Sequence, residues 1–259
     1  DFINFYGKDV FGKTDNYYGI VKKSSFLNFK SYLTFLDNNK LKYIEDKNNL
    51  FTSSKIEGTI KTNEKILDYF KIKKKIRIKL NKSSVNLKLS SQLDKSILRY
   101  KNYHKVIIAT YKNNNNLLER LGIQVKKKFR YELVEKIAIS LPKKYKNISF
   151  VVMDGKFVCV DPYLGTQYHL LSHVKHSKLE VINKKFSKFS KKYDKALINV
   201  KSQNRKLSNF DKFIKDGSKY LPFLSEAKYK FSYYVVRTLK TNVESTAERT
   251  NLTQFVNKN

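Results

Sequence analysis

Residues 151–176, VVMDGKFVCVDPYLGTQYHLLSHVKH, constrain the fold more than any other stretch of the chain. Asp154-Gly155 stands between two apolar runs, and a glycine there accepts the positive φ of a tight hairpin without steric cost. Asp161-Pro162 and Gly165 add two further corners. The segment therefore predicts short strands at 151–153, 157–160 and 168–174 in one antiparallel sheet. Val151, Met153, Phe157 and Cys159 alternate and are expected to share its core face. The surrounding sequence is dominated by Lys, Asn, Ile, Phe and Tyr, so residues spent on fixed corners mark a region shaped by structure.

Strand-like texture continues on either side. Apolar patterning predicts strands at 129–141, 148–153 and 228–239, and earlier at 17–21, 42–45 and 54–60. Apolar residues at 26, 29, 33 and 36 follow helical spacing, giving a helix over 25–38 with Ser24 or Ser25 as cap. A second helix is expected over 64–70 after Thr62, and a third over 208–216. Ile76, Ile78 and Leu80 alternate with Arg77 and Lys79, and Val85, Leu87 and Leu89 repeat the alternation, so both read as strands. Residues 1–13 read as an extended loop, 241–250 as a loop, and 184–206 as either a surface helix or a linker.

Residues 105–110, KVIIAT, form a continuous apolar run, as in strands covered on both faces. Tyr111, a run of four Asn, and a short helix over 117–121 closed by Gly122 follow. A strand, polar loop and helix in succession place the loop at the carboxyl edge of a sheet, where open α/β folds bind ligands.

The formal charge of +32 would suit nucleic acid or an anionic surface. Only seven of the 54 basic residues are Arg (77, 99, 120, 130, 205, 237 and 249), and Lys is spread along the whole chain. Phosphate and base-edge recognition favour the Arg fork, so the charge reads first as compositional, with a nucleic-acid-binding protein as the alternative. One cysteine, Cys159, excludes a disulfide framework. No run reaches membrane-spanning length and no signal pattern opens the chain, so the expected location is cytoplasmic. The chain begins at Asp1 and ends at Asn259 as though cut from a longer protein.

Three of four histidines, His169, His173 and His176, fall close together. Along a strand the first two share a face and the third takes the other, which is poor geometry for a three-histidine metal site, so no metal is expected. Arg237 sits in an apolar strand, where a cation needs an anionic partner: a ligand, or Glu244 or Glu248. There is no G-x-G-x-x-G, P-loop, G-x-S-x-G or H-E-x-x-H motif, and Cys159 between two valines offers no Cys-His pair.

Taken in order, DNYYGIVKKSS at 15–25, KVIIATY at 105–111, the 151–176 segment, YYVVRTL and STAERTN resemble the D-amino-acid-oxidase-like (DAO) superfamily of FAD-dependent oxidoreductases. The resemblance implies an α/β and α+β architecture in which a Rossmann-type FAD-binding domain is interleaved with an antiparallel-sheet substrate domain. The implied division is 1–61 as loop, helix and first substrate-domain strands, 62–122 as part of the FAD domain, 123–240 as substrate domain, and 241–259 as a return loop. KVIIATY resembles the family strand that ends in Ala-Thr-Gly or Cys-Thr-Gly beside the flavin, with Tyr111 in place of Gly. The family's glycine-rich pyrophosphate turn and its closing strand are both absent from this sequence. The implied chemistry is hydride transfer from a small, anionic, amino-acid-like or hydroxy-acid-like substrate to FAD. Arg237, His169 and Tyr18 are the implied substrate-side residues, and Ala109, Thr110, Tyr111 and Arg249 the implied cofactor contacts. A non-catalytic remnant of the substrate domain is the further alternative.

Overall fold

Apolar alternation becomes a strand only where a neighbouring strand takes the backbone N-H and C=O groups. The computed structural model describes residues 2–23, 25–46, 50–91, 104–153 and 158–241. Among these, the strands are β1 (Asp15–Val21), β2 (Tyr43–Glu45), β3 (Ile56–Thr62), β4 (Phe129–Ser140), β5 (Ile148–Met153), β6 (Val158–Pro162), β7 (His169–His173), β8 (Lys178–Lys184), β9 (Lys201–Ser202) and β10 (Lys228–Leu239). They form one sheet in the order β2-β3-β1-β5-β6-β7-β4-β10-β9, with β8 on β4. β1 and β5 run parallel, whereas β1–β3, β2–β3, β5–β6, β6–β7, β4–β7, β4–β8 and β9–β10 are antiparallel. The α-helices are α1 (Phe2–Tyr6), α2 (Phe29–Asn38), α3 (Tyr69–Asn81), α4 (Asn114–Arg120), α5 (Asp194–Asn199) and α6 (Phe210–Gly217). No helix among the described residues is long and apolar enough to cross a membrane.

The chain divides into two compact units. The first comprises Asp1–Leu87, Glu135–Ser177 and Lys201–Tyr233, and the second Lys88–Val134, Lys178–Val200 and Tyr234–Asn259. In the first unit, β5, β6 and β7 present Phe150, Val152, Val158, Val160 and Leu171 to a core that α6 and the 222–226 turn close with Phe213, Phe223 and Leu224. A smaller cluster buries Tyr32 and Leu36 of α2 against Ile20 of β1 and Ile60 of β3. Gly58 makes that seat possible, since a Cβ there would lie 2.4 Å from the Phe29 ring. In the second unit, β8 pairs with Phe129–Val134 of β4, and Tyr131, Leu133, Tyr193 and Tyr234 are buried.

The expected β5–β6–β7 arrangement is present, with Phe150 opposite Val160, Val151 opposite Cys159, and β7 paired to β6. The Asp154-Gly155 corner itself and Phe157 lie outside the described residues. The face assignment was inverted: Phe150, Val152, Val158 and Val160 are buried, while Val151, Met153 and Cys159 look to the other side. Strand alternation determines which residues share a face but not which face meets the helices.

Several further expectations need correction. α2 begins at Phe29 rather than 25, because Asn28 is the cap and its side chain accepts from Ser31 N at 2.8 Å. Residues 76–80 are helical, not a strand. Asp68 caps α3 by accepting from Lys71 N, so the helix runs through 69–81 rather than 64–70. No residue of α3 is buried, so its Ile-Lys alternation never served a half-buried sheet face, and good helix formers such as Lys and Leu follow the cap instead. Residues 85–89 are irregular and exposed. The 105–110 run is also irregular: Ile107 is 86% exposed, and no strand among the described residues pairs with it. Residues 1–13, expected to be a loop, hold α1 and a 3-10 turn at Lys8–Val10. The 184–206 region resolves into short turns, α5 and β9.

Candidate functional site

The second unit brings together two residues that the sequence singled out separately. Tyr111 opens a 3-10 turn with φ 52, a left-handed value uncommon outside glycine. Its hydroxyl accepts the Thr238 N-H at 3.0 Å, which ties the end of the 105–111 segment to β10 beside Arg237. Thr110 is fixed as well, donating from its N-H (2.9 Å) and hydroxyl (2.8 Å) to the Asn114 side chain. Of the Asn run, read from sequence as loop, Asn113 closes the 3-10 turn and Asn114–Asn116 form the first turn of α4. Buried Asn115 donates to the Lys127 and Lys185 carbonyls at 3.1 and 2.8 Å, so it locks the helix to the segments flanking β4 and β8. Ala109 is exposed next to these residues.

Arg237 does have an anionic partner, but it is Glu132 of β4 rather than Glu244 or Glu248, which lie outside the described residues. The guanidinium donates to Glu132 Oε2 from Nε at 3.0 Å and again from a terminal nitrogen. Arg130 Nε donates to Glu132 Oε1 at 3.0 Å, and Lys178 Nζ stands 3.6 Å from the same oxygen. Burial by itself would raise the Glu132 carboxyl, but Arg237, Lys178 and Arg130 outweigh it and hold the group below the usual glutamate range. The carboxylate is 1% exposed while Arg237 keeps 35% of its side-chain surface open. Three cations thus gather on one carboxylate, and the cluster as a whole attracts anions. Sequence reasoning found Arg237 and missed Glu132, which shares β4 with a second acid, Glu135, and with Arg130 and Lys136, so nothing in the sequence set it apart.

Tyr18 lies in the first unit on the strand face that also carries Ile20, and it packs against the cluster around Ile20 and Ile60. Register sets Tyr18 beside Val151, Val151 beside Cys159, and Cys159 beside Ser172, while Asn16 lies beside Ser149. The Tyr18 hydroxyl donates to the Glu64 carboxylate, and Asn16 Nδ2 donates to the Glu64 carbonyl. Asp161 accepts from Ser149 Oγ at 2.8 Å and from Cys159 Sγ at 3.1 Å. Burial, and then the Asp161 charge, push the Cys159 thiol well up, so it stays protonated and is no nucleophile. Phe70 stacks on Tyr163 at 5.4 Å, and the Tyr163 and Tyr233 hydroxyls meet at 3.0 Å.

His169 is not on the face of Tyr18. It shares the buried side of β7 with Leu171 and His173, is 2% exposed, and its Nε2 meets the Tyr145 carbonyl at 2.9 Å. Burial lowers its basicity below that of ordinary histidine. His169 and Tyr18, both expected on the substrate side, thus lie on opposite faces of the sheet, His169 with Leu171 and His173 on the buried side of β7 and Tyr18 on the face of Cys159 and Ser172. Arg249 lies outside the described residues.

No family model matches the sequence, and no curated protein matches it. The fold is shared with solved structures of oxidases and a dehydrogenase. Glycine oxidase from Geobacillus kaustophilus superposes with a TM-score of 0.56 at 9% identity, over 90% of this chain and 61% of that one. L-proline dehydrogenase from P. horikoshii gives 0.55 at 11% identity, covering 90% and 63%. L-alpha-glycerophosphate oxidase from Mycoplasma pneumoniae, solved with FAD bound, gives 0.56 at 10% identity, covering 90% and 63%. The chain thus spans a little over three fifths of each of these proteins.

Proposed function

We propose that this chain is part of an FAD-dependent oxidoreductase that oxidises a small anionic substrate. The observation that carries the reading is the shared fold over 90% of the chain with oxidases and a dehydrogenase of amino acids and glycerophosphate. Divided as the resemblance implies, 62–122 contributes to the flavin domain and 123–240 to the substrate domain.

The residues present fit the ring end of the cofactor. Tyr111 stands where the family pattern has Gly, and its backbone takes the left-handed conformation that glycine would adopt there. Val106 and Ile107, 46% and 86% exposed, leave apolar surface that a flat ring can cover. Ala109, Thr110 and Tyr111 would hold that end, and Arg249 is assigned to the same cofactor. No glycine-rich turn for the pyrophosphate occurs in the sequence. Bound FAD would supply the electron acceptor, taking hydride from a substrate C-H.

The chain's own part is to bind and orient substrate. Arg237, with Arg130 and Lys178 around Glu132, supplies positive field for a carboxylate or phosphate, and the shared Glu132 fixes the guanidinium plane. Tyr18, held by Glu64, supplies a positioned hydroxyl.

The test is anaerobic addition of small amino acids, hydroxy acids and glycerol phosphate to the FAD-loaded protein, following bleaching of the flavin's visible absorption. Bleaching by at least one anionic substrate is expected. A loaded flavin that none of them reduces would contradict the proposal.

A further inference from the structure

The β7–β8 turn and the end of α6 bring three metal-ligating side chains to one place that the reading above does not use. His173 closes β7, His176 follows within the tight turn before β8, and Asp216 is the penultimate residue of α6. One ligand atom from each lies within 4.8 Å of the others. We propose that His173, His176 and Asp216 form a binding site for a divalent first-row transition metal such as Zn2+. Two imidazoles and a carboxylate are the donor set that suits such an ion, with a fourth position left to water.

The site is built on core packing. The His173 and His176 rings lie 4.5 Å apart, and both contact the ring of Phe213 of α6, His173 edge-on at 5.8 Å and His176 tilted at 6.2 Å, with the Phe213 side chain fully buried. Asp216, three residues beyond Phe213 on α6, is thereby carried toward the histidines. His176 Nε2 already meets Asp216 Oδ2 at 2.6 Å. Ligand bonds of about 2.0 to 2.2 Å in tetrahedral geometry set donors roughly 3.4 Å apart, so a metal enters by opening this contact by less than ~1 Å. His173 Nδ1 accepts two long backbone contacts, at 3.2 Å from Lys175 N and 3.5 Å from His176 N, which hold its ring in place. His169 is not a member. The sequence hid the site because the carboxylate arrives 40 residues after the second histidine.

Lys219 holds the other Asp216 oxygen at 2.7 Å. It orients the carboxylate and also places a competing cation beside the ion, so Lys219→Met should tighten binding.

Calorimetric titration of the full chain with Zn2+, with Co2+ absorption as a second readout, tests the site. One equivalent should bind, and His176→Gln and Asp216→Asn, each checked for an unchanged metal-free melt, should weaken binding by on the order of tenfold or more. His104→Ala should leave it unchanged. Failure to bind one equivalent, or binding that survives both substitutions, would overturn the proposal and leave the cluster as an ion pair that ties α6 to the turn.

Discussion

Glu132→Gln removes one negative charge and leaves three cations facing one another. Arg130 is 11% exposed, and Lys178 and Arg237 keep 30% and 35% of their side-chain surface. Breaking a fully buried ion pair costs about 3 to 5 kcal/mol, and the exposure of two of the three cations reduces this by solvent screening to about 2 kcal/mol. For a chain of this size that corresponds to a fall in Tm of about 4 to 8 °C. The loss also has a pH signature. A carboxyl held below its ordinary value contributes stability that is present above the usual glutamate range and is lost as pH falls through the lowered value. The gap between wild type and Glu132→Gln should therefore be full at neutral pH and shrink on acidification below about pH 4. Scanning calorimetry between pH 3 and pH 8, run with and without sulfate, measures both effects. Sulfate should stabilise the variant more than the wild type. A Tm within about 1 °C of wild type at neutral pH would refute the reasoning, since it would mean that Glu132 neutralises nothing that matters.

Arg237→Ala should lower kcat/KM for an anionic substrate by on the order of tenfold to a hundredfold while leaving flavin content nearly intact, as flavin absorbance and steady-state rates on one sample would establish. Gly58→Ala should destabilise by about 1 to 3 kcal/mol, because the new methyl meets the Phe29 ring, and Gly58→Ala with Phe29→Ala should not show the two costs added, which urea titration of the three variants would reveal. Glu135 is fully buried against Ser232 and the Asn209 N-H, and burial raises its carboxyl, an effect its hydrogen bonds only partly offset. A raised carboxyl favours the fold below the ordinary glutamate range and loses that contribution as pH rises, so Glu135→Gln should gain stability relative to wild type from acid toward neutral pH in thermal melts.

Long, paired elements were legible in the sequence. β10 occupies the expected 228–239, and β4 lies within one residue of 129–141, because each carries a sustained apolar pattern and has strands beside it. α3 was misread because Ile76, Ile78 and Leu80 alternate with basic residues by composition, while the deciding signal was the single Asp68 cap. The 105–110 run shows the opposite failure: its side chains suit a buried strand, but strand formation is a property of pairs, and no described strand pairs with it. At the candidate site, Arg237 stood out by rarity and Tyr111 by its place after KVIIAT, yet their link through Thr238 joins positions 127 residues apart. Tyr18 was placed by motif, but its partner Glu64 is 46 residues away and had no signal of its own. That His169 lies in the core was not legible, because a strand's period says which residues share a face but not which face is buried.

The central claim, that this chain contributes to a flavin site, is tested most directly by titrating FAD with the full chain and following flavin fluorescence. A saturable change at one equivalent is predicted, weakened in Tyr111→Asp, where a carboxylate would replace the phenol that accepts from Thr238. No saturable change, or the same change in both proteins, would contradict the account.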